Sequence, residues 1–477
     1  DGAVAAMGRV SPKVQLSYFH FFLDMTRQLG FKATPVFHET LVILVSAIGC
    51  AQREFDAAND DLREIASSRR AEDSMTIDED AEEAGVEDAE EEEENSDEDN
   101  DRDVDGDDDD DEDSGRLTLG SIKRRRDSAR GVRQMAVKCL AKMFELQPPQ
   151  FDFTPYVACI YEQVVDPRID SLTYENTQNS SALLLLLRSW SLSPRYFPYL
   201  VDYNPLAFKM LLGILAVPTA RSSVVSLVLD VLQTLLDYSP AEAVEKHFLT
   251  EAEAADRSAL VSRTIQGHVS QILSHMRTCF TSDMLSLATT QPQQGQAGKS
   301  SGAVTQAMRQ IHILSRVAEY ATKQARDAKA LLDILLPILK RPNRTVPERT
   351  KNDVLKVMLR FVPLVLNDQD GALTADEQQR LFAVYLEAVS SAFGRIRLDT
   401  ARATLAQLLV LLANISGQNQ GPASLLQNAA AIIEGINSYS TERLSEPDFE
   451  RRLEAYAQLN EDMWSRADLL DAQAWVP

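Results

Sequence analysis

The residues of this chain that could do chemistry are scattered, and each grouping that approaches a motif lacks one essential member. Gly295-Gln296-Ala297-Gly298-Lys299-Ser300 resembles the end of a phosphate-binding loop. That loop needs another glycine five residues before Gly298, where Gln293 stands, and a strand ahead to aim its amides at phosphate. The tract therefore reads as a flexible polar linker. His38-Glu39 opens like a zinc-protease helix, but Val42 occupies the place of the second imidazole, and one imidazole does not hold a metal. Asp368, Asp370, Gly371 and Glu377 fill four places of a calcium loop whose first ligand position is Leu366. A turn at Asp370-Gly371 followed by a Thr374–Glu377 capping box accounts better for them. The six histidines and four cysteines form no cluster in sequence, and there is no nucleophile elbow. These readings point away from an enzyme, a metal, a cofactor and a small-molecule substrate.

Charge is the sharper signal. Between Glu72 and Asp113, 27 acids stand against Arg102 alone, a net of −26; the whole chain carries −24, which leaves +2 for the remainder. A segment with that charge density and no aromatic residue cannot bury enough surface to offset its ordering entropy, so disorder is expected. It returns to the body through Lys123-Arg124-Arg125-Arg126, Arg130 and Arg133. Three readings fit this pair of charge blocks. One is a solvated loop beside basic residues. Another is a nuclear or nucleolar signal in Lys123–Arg126. The last is an electrostatic mimic that masks an RNA-binding face or holds basic proteins. Ser96, followed by Asp97-Glu98-Asp99, suits an acid-directed kinase. A second basic cluster, Lys340, Arg341, Arg344, Arg349 and Lys351, surrounds Pro342 and Pro347 between two helices. Loops of a helical stack share one edge, so such a cluster can join a phosphate-binding stripe.

The elements that must carry these residues read as helices throughout. Ser11-Pro12, Thr34-Pro35 and Thr154-Pro155 place a hydroxyl before a proline, a pattern that predicts an N-cap followed by the first helical residue. Helical spacing predicts helices from Pro12 to Gly30, from Pro35 to about Arg70, over 132–146, 156–165, 180–190, 204–217, 222–238 and 257–287. More follow over 303–322, 326–339, 348–366, 376–393, 398–416, 423–439 and 447–470. Period-two alternation bounded by hairpin turns is missing. Helix pairs recur every ~40 residues, within the range of HEAT or armadillo arrays, so the fold class is an all-α solenoid of antiparallel helix pairs. The implied organisation is helical repeats over 1–71, a disordered acidic insert with its basic flank over 72–126, repeats over 127–288, a flexible linker over 289–302 and repeats over 303–477. The longest apolar run, Leu41–Ala51, is well short of the ~20 residues a bilayer requires, so no membrane partner is expected. Cys50, Cys139, Cys159 and Cys279 read as buried free thiols. A start at Asp1 without methionine reads as a fragment of something longer.

The stretch Arg133-Gln-Met-Ala-Val-Lys-Cys-Leu-Ala-Lys-Met-Phe144, then Tyr156 to Pro167, Glu175-Asn-Thr-Gln-Asn-Ser-Ser, Leu183–Leu187 and Arg188-Ser-Trp-Ser-Leu-Ser-Pro-Arg-Tyr-Phe-Pro-Tyr-Leu200 resembles the central block of the DRIM ("down-regulated in metastasis") family. The resemblance covers roughly residues 130–240. It implies a very large HEAT-repeat scaffold of the small-subunit processome, without catalytic residues, acting in the nucleolus on pre-ribosomal RNA toward 18S RNA and the 40S subunit. Its implied partners are pre-ribosomal RNA, the small nucleolar ribonucleoprotein, processome proteins and ribosomal proteins. A nuclear transport receptor or chaperone for basic cargo such as histones is the alternative. Apart from any family, Leu183–Leu187 exceeds one amphipathic stripe, so that helix should be buried on most sides. Tyr196 and Phe197 should wedge between helices, core packing being commoner for them than base stacking.

Overall fold

A computed structural model of the chain describes residues 10–74, 118–147, 151–174, 180–217, 219–289, 297–320, 325–343, 346–368, 371–417, 423–440 and 446–465. Among them there is no strand, only an isolated bridge between Tyr439 and Pro447. The protein is an all-α helical solenoid. It divides into two compact units, Asp1–Val261 and Ser262–Pro477.

The first unit begins with α1 (Pro12–Leu29) and α2 (Phe37–Ser74). Then come α3 (Leu119–Leu146) and α4 (Thr154–Ile160), which runs into a π turn and a 3-10 turn up to Tyr174. After α5 (Ala182–Ser191) come the short α6 (Phe197–Val201) and α7 (Pro205–Gly213), then α8 (Ser222–Leu236) and α9 (Pro240–Glu245). Helix α3 packs on α1, α2 and α5, and α5 packs on α8. The run Leu183–Leu187 explains the central place of α5: Leu183, Leu184, Leu186 and Leu187 are all buried, as is Trp190. No single stripe could hold that many apolar side chains, so α5 needs neighbours on several sides. Phe144 of α3 lies edge-on to Trp190 at 5.8 Å and to Tyr196 at 5.3 Å. Tyr196 and Phe197 are buried core residues, as their expected wedge role requires, and are closed to nucleobases.

Helix α10 (Glu251–Thr289) carries the division between the units. The second unit continues with α11 (Ala297–Tyr320), α12 (Ala325–Leu339), α13 (Glu348–Leu366), α14 (Ala375–Phe393), α15 (Asp399–Gly417), α16 (Ala423–Ile436) and α17 (Phe449–Ser465). From α12 to α15 each helix touches the next and the next but one, which is the packing of a two-layer array of helix pairs.

Several local expectations are corrected. Residues 297–302, read as linker, open α11. The basic flank 119–126, read as part of the disordered insert, is helical, because Thr118 accepts a bond from the Ser121 amide and Ile122 and Ala129 are buried against the body. Of the proline-led starts, Pro12 does begin α1, but the Ser11 side chain makes no cap. Thr34 sits in a 3-10 turn and its hydroxyl donates to the Phe31 carbonyl at 2.6 Å. Thr154 is itself capped by Asp152, which accepts from its amide at 3.0 Å. The caps formed by hydroxyls or amides before proline are instead Asn204 and Ser239. The Thr374–Glu377 capping box forms as expected. By length and composition one helical stretch, within Pro12–Ser68, is apolar enough to cross a membrane, contrary to expectation. Its Leu41, Leu44, Ala47 and Ile48 are packed in the core.

Candidate nucleic-acid interface

The connections α12–α13 and α14–α15 lie side by side in the second unit and are stitched by named bonds. Arg395 Nη1 donates to the Lys340 carbonyl at 2.9 Å, and Asn343 Nδ2 donates to the Arg395 carbonyl at 3.3 Å. Glu348, in the first turn of α13, accepts from the amides of Arg397 and Leu398 at 3.0 and 2.5 Å, and from the Asn343 side chain. Two turns separated by some fifty residues are thus one surface.

Lys351 anchors that surface from beneath. It is fully buried, and its Nζ donates to the Arg341 carbonyl at 2.5 Å and to Asn343 Oδ1 at 2.7 Å. Burial pulls its ammonium below the usual lysine range, while the Glu348 carboxylate opposes that pull. Lys351, expected from the sequence as a candidate for RNA contact, is corrected to a buried clamp, because its ammonium is turned inward onto the Arg341 carbonyl and the Asn343 side chain. Lys340 is exposed and paired with Glu387 at 3.6 Å. Arg349 is exposed and Arg341 half-buried, and neither side chain has a carboxylate partner among the described residues. Arg344 lies outside the described residues. The tertiary fold adds Arg395 and Arg397, both exposed. Their signal was present in Gly394-Arg395-Ile396-Arg397, a basic turn between helices of the same kind as 340–349. Arg349 and Arg397, exposed and without a carboxylate partner among the described residues, have guanidiniums of the kind that can take a phosphate oxygen bidentately, while Arg395 keeps one nitrogen on the Lys340 carbonyl.

The flank of the acidic insert is different. Arg125 pairs with Asp61 of α2 at 2.5 Å, and Arg126 with Asp127 at 3.2 Å. Arg133 is 7% exposed; its Nη1 donates to Gln52 Oε1 at 2.6 Å and its guanidinium lies 4.7 Å from the Phe55 ring centroid. Arg130 is half-buried and also partnered. Only Lys123 and Arg124 of this group face solvent. Arg125 and Arg133 therefore rivet α3 to α2 and are corrected from free cations to structural ones. Glu72 and Asp73 close α2, and the rest of the acidic tract, Ser96 included, lies outside the described residues.

The incomplete motifs have other roles. His38 Nδ1 pairs with the Tyr156 hydroxyl at 2.8 Å. Asp368 accepts from the Leu373 amide at 2.8 Å, and Gly371 takes a φ of +69°, which suits glycine. No group of His, Cys, Asp and Glu among the described residues could hold a metal. Cys139 is buried, and burial pushes its thiol up to about 12; Cys159 is exposed, contrary to the expectation of buried thiols. The side chain of Cys279 lies outside the description.

Stacked helices over both units define an all-α helical solenoid. The chain matches the family model described as U3 small nucleolar RNA-associated protein 20, N-terminal, over residues 4–477, and it belongs to that family. This is the DRIM family read from the central block, and the match extends far beyond residues 130–240. The U3 small nucleolar RNA-associated protein 20 of Schizosaccharomyces pombe is 26% identical over 347 residues, 72% of this chain and 12% of that protein. Its counterpart in Saccharomyces cerevisiae is 21% identical over 353 residues, 74% of this chain and 12% of that protein. The matched region of this chain thus spans about an eighth of the length of these curated relatives.

Proposed function

We propose that this chain is a non-catalytic segment of a small-subunit processome scaffold, acting in the nucleolus, and that it grips pre-ribosomal RNA along the α12–α13 and α14–α15 turns. Family membership supports the processome setting. The observation that carries the RNA contact is the exposed group Arg349, Arg395 and Arg397 on two turns locked together through Glu348. A rigid row of cations meets the regularly spaced phosphates of an RNA backbone without ordering cost at the moment of binding.

The test is titration of a structured pre-ribosomal RNA fragment with the full chain at several salt concentrations. The affinity is expected to fall steeply with salt. In the variant Arg349→Glu/Arg395→Glu/Arg397→Glu the slope should shrink by about two to three units, near one per lost phosphate contact. Reversal of Lys123 and Arg124 serves as the comparison and should leave the slope nearly unchanged. Unchanged affinity in the triple variant removes the proposed edge.

A further inference from the structure

Between α11 and α13 lies a groove of about 500 Å³ whose lining combines an apolar floor with a polar rim. Ile311, Val357 and Phe361 form buried parts of the floor, while His312 and Glu319 of α11 and Asp353, Lys356 and Arg360 of α13 stand exposed at the rim, Glu319 paired with Arg316 at 2.7 Å. The helical register of α13 places Arg349, Lys356 and Arg360 seven and eleven residues along, on one face. That face runs from the turn edge into the groove. Lys356 is shared with Asp353 at 3.5 Å, an exposed pair of little strength. Arg360 has no carboxylate partner among the described residues; its guanidinium lies 5.1 Å from the Phe361 ring centroid.

We infer that this groove seats an unpaired nucleotide of the RNA strand whose backbone follows the turn edge. The inference rests on the RNA reading above and adds the chemistry of a base site. An apolar floor beside a guanidinium plane and an imidazole suits the face of a nucleobase, because single-stranded RNA is read by stacking on such groups. Lys356 and Arg360 at the mouth suit the flanking phosphates. A volume of about 500 Å³ lies within the range of small-ligand pockets, roughly 300–1,000 Å³, and exceeds what a bare phosphate fills. A duplex presents no unstacked base and would pass over the groove. An acidic peptide would use the rim cations and leave the floor uncovered.

The experiment compares full-chain binding to a single-stranded ten-nucleotide RNA with binding to an abasic strand of equal length and charge. The base-bearing strand should bind about tenfold tighter, the order expected for one stacked base. His312→Ala/Arg360→Ala should abolish that preference, and His312→Tyr, which keeps an aromatic ring, should retain it. The triple edge variant should weaken both strands alike and leave their ratio intact. Equal binding of the two strands by the unaltered chain, or a preference that survives in His312→Ala/Arg360→Ala, overturns the groove and leaves the edge standing. An edge variant with full affinity beside a groove-dependent preference overturns the edge and leaves the groove. Competition by a polyglutamate peptide equal to that of the RNA also overturns the base site.

Discussion

The two units hold their helices together by different means. In the first, aromatic rings form a continuous web: Phe37, Phe151, Phe153, Phe144, Trp190, Tyr161, Tyr199 and Tyr203 are linked by ring contacts of 4.4 to 6.3 Å. Twelve of the seventeen phenylalanines and eight of the twelve tyrosines lie before Ser262. In the second, the core is mainly aliphatic, and turns are tied repeatedly by polar groups reaching backbone carbonyls, a tie the first unit also makes where Arg195 donates to the Phe248 carbonyl at 2.7 Å. Arg402 donates to the carbonyls of Phe393 and Ile396 at 3.1 and 3.2 Å, Arg452 to that of Ser438 at 3.0 Å, and Arg395 to that of Lys340. Aromatic packing fixes irregular short helices such as α6 and α7, where few backbone bonds are available. Carbonyl ties fix turns between long regular helices while leaving neighbouring cations exposed. The second arrangement yields a rigid charged edge; the first yields a rigid core.

This contrast can be broken by removing one tie from each unit. Trp190→Ala should be the most damaging change, at about 3–5 kcal/mol, because a fully buried indole leaves a cavity ringed by Phe144, Tyr161 and Tyr199. Hydrogen exchange should show lost protection over 119–236, with protection over 325–417 retained; uniform loss would refute the distinction. Lys351→Met should cost about 2–3 kcal/mol, since the Arg341 carbonyl and Asn343 side chain lose their buried donor. It should also lower RNA affinity by loosening the edge, although Lys351 touches no solvent. Unaltered RNA binding in a folded Lys351→Met protein would show that the edge needs no clamp.

Gly435→Ala sharpens the second unit further. A Cβ there would stand 2.7 Å from the Ala455 Cβ, so α16 and α17 must separate, at about 1–2 kcal/mol by thermal melting. A Gly435→Ala protein as stable as the original would mean that α17 is loosely seated. The smallest effect concerns Asp152 in the first unit. The Thr154 hydroxyl, with its amide and Arg195, holds this exposed carboxyl below the usual aspartate range, despite partial burial. A depressed folded value means that the contribution is present above the unfolded value of ~3.9 and is lost as pH falls through the folded one. Acid titration of stability should show a shallower loss in Asp152→Asn than in the original, and identical curves would remove the carboxyl from the account.

Much of the fold was legible because helix formation is local. The apolar run Leu183–Leu187 and the Thr374–Glu377 box act within a few residues of themselves, and each appears where the pattern places it, while of the three hydroxyl-proline starts only Pro12 opens its helix as expected. Cap identities were less legible. Asp152 displaced the expected role of Thr154, because a carboxylate two residues earlier accepts from both the amide and the hydroxyl of Thr154, which leaves Thr154 as the first helical residue. The basic candidates were legible as a list but not as roles. Arg125, Arg133 and Lys351 look in sequence like Arg124, Arg349 and Arg397, yet the first three are spent on α2 or on turn carbonyls.

What the sequence determined alone is the helical class, the segregation of acids into 72–113 and the cationic character of the turn near 340. These follow from periodicity and composition, which need no knowledge of what lies nearby. Only the tertiary structure decided which cations are available to a partner. Availability depends on whether a carbonyl, a carboxylate or a ring from a distant segment arrives within bonding distance, and that is settled by how the helices pack.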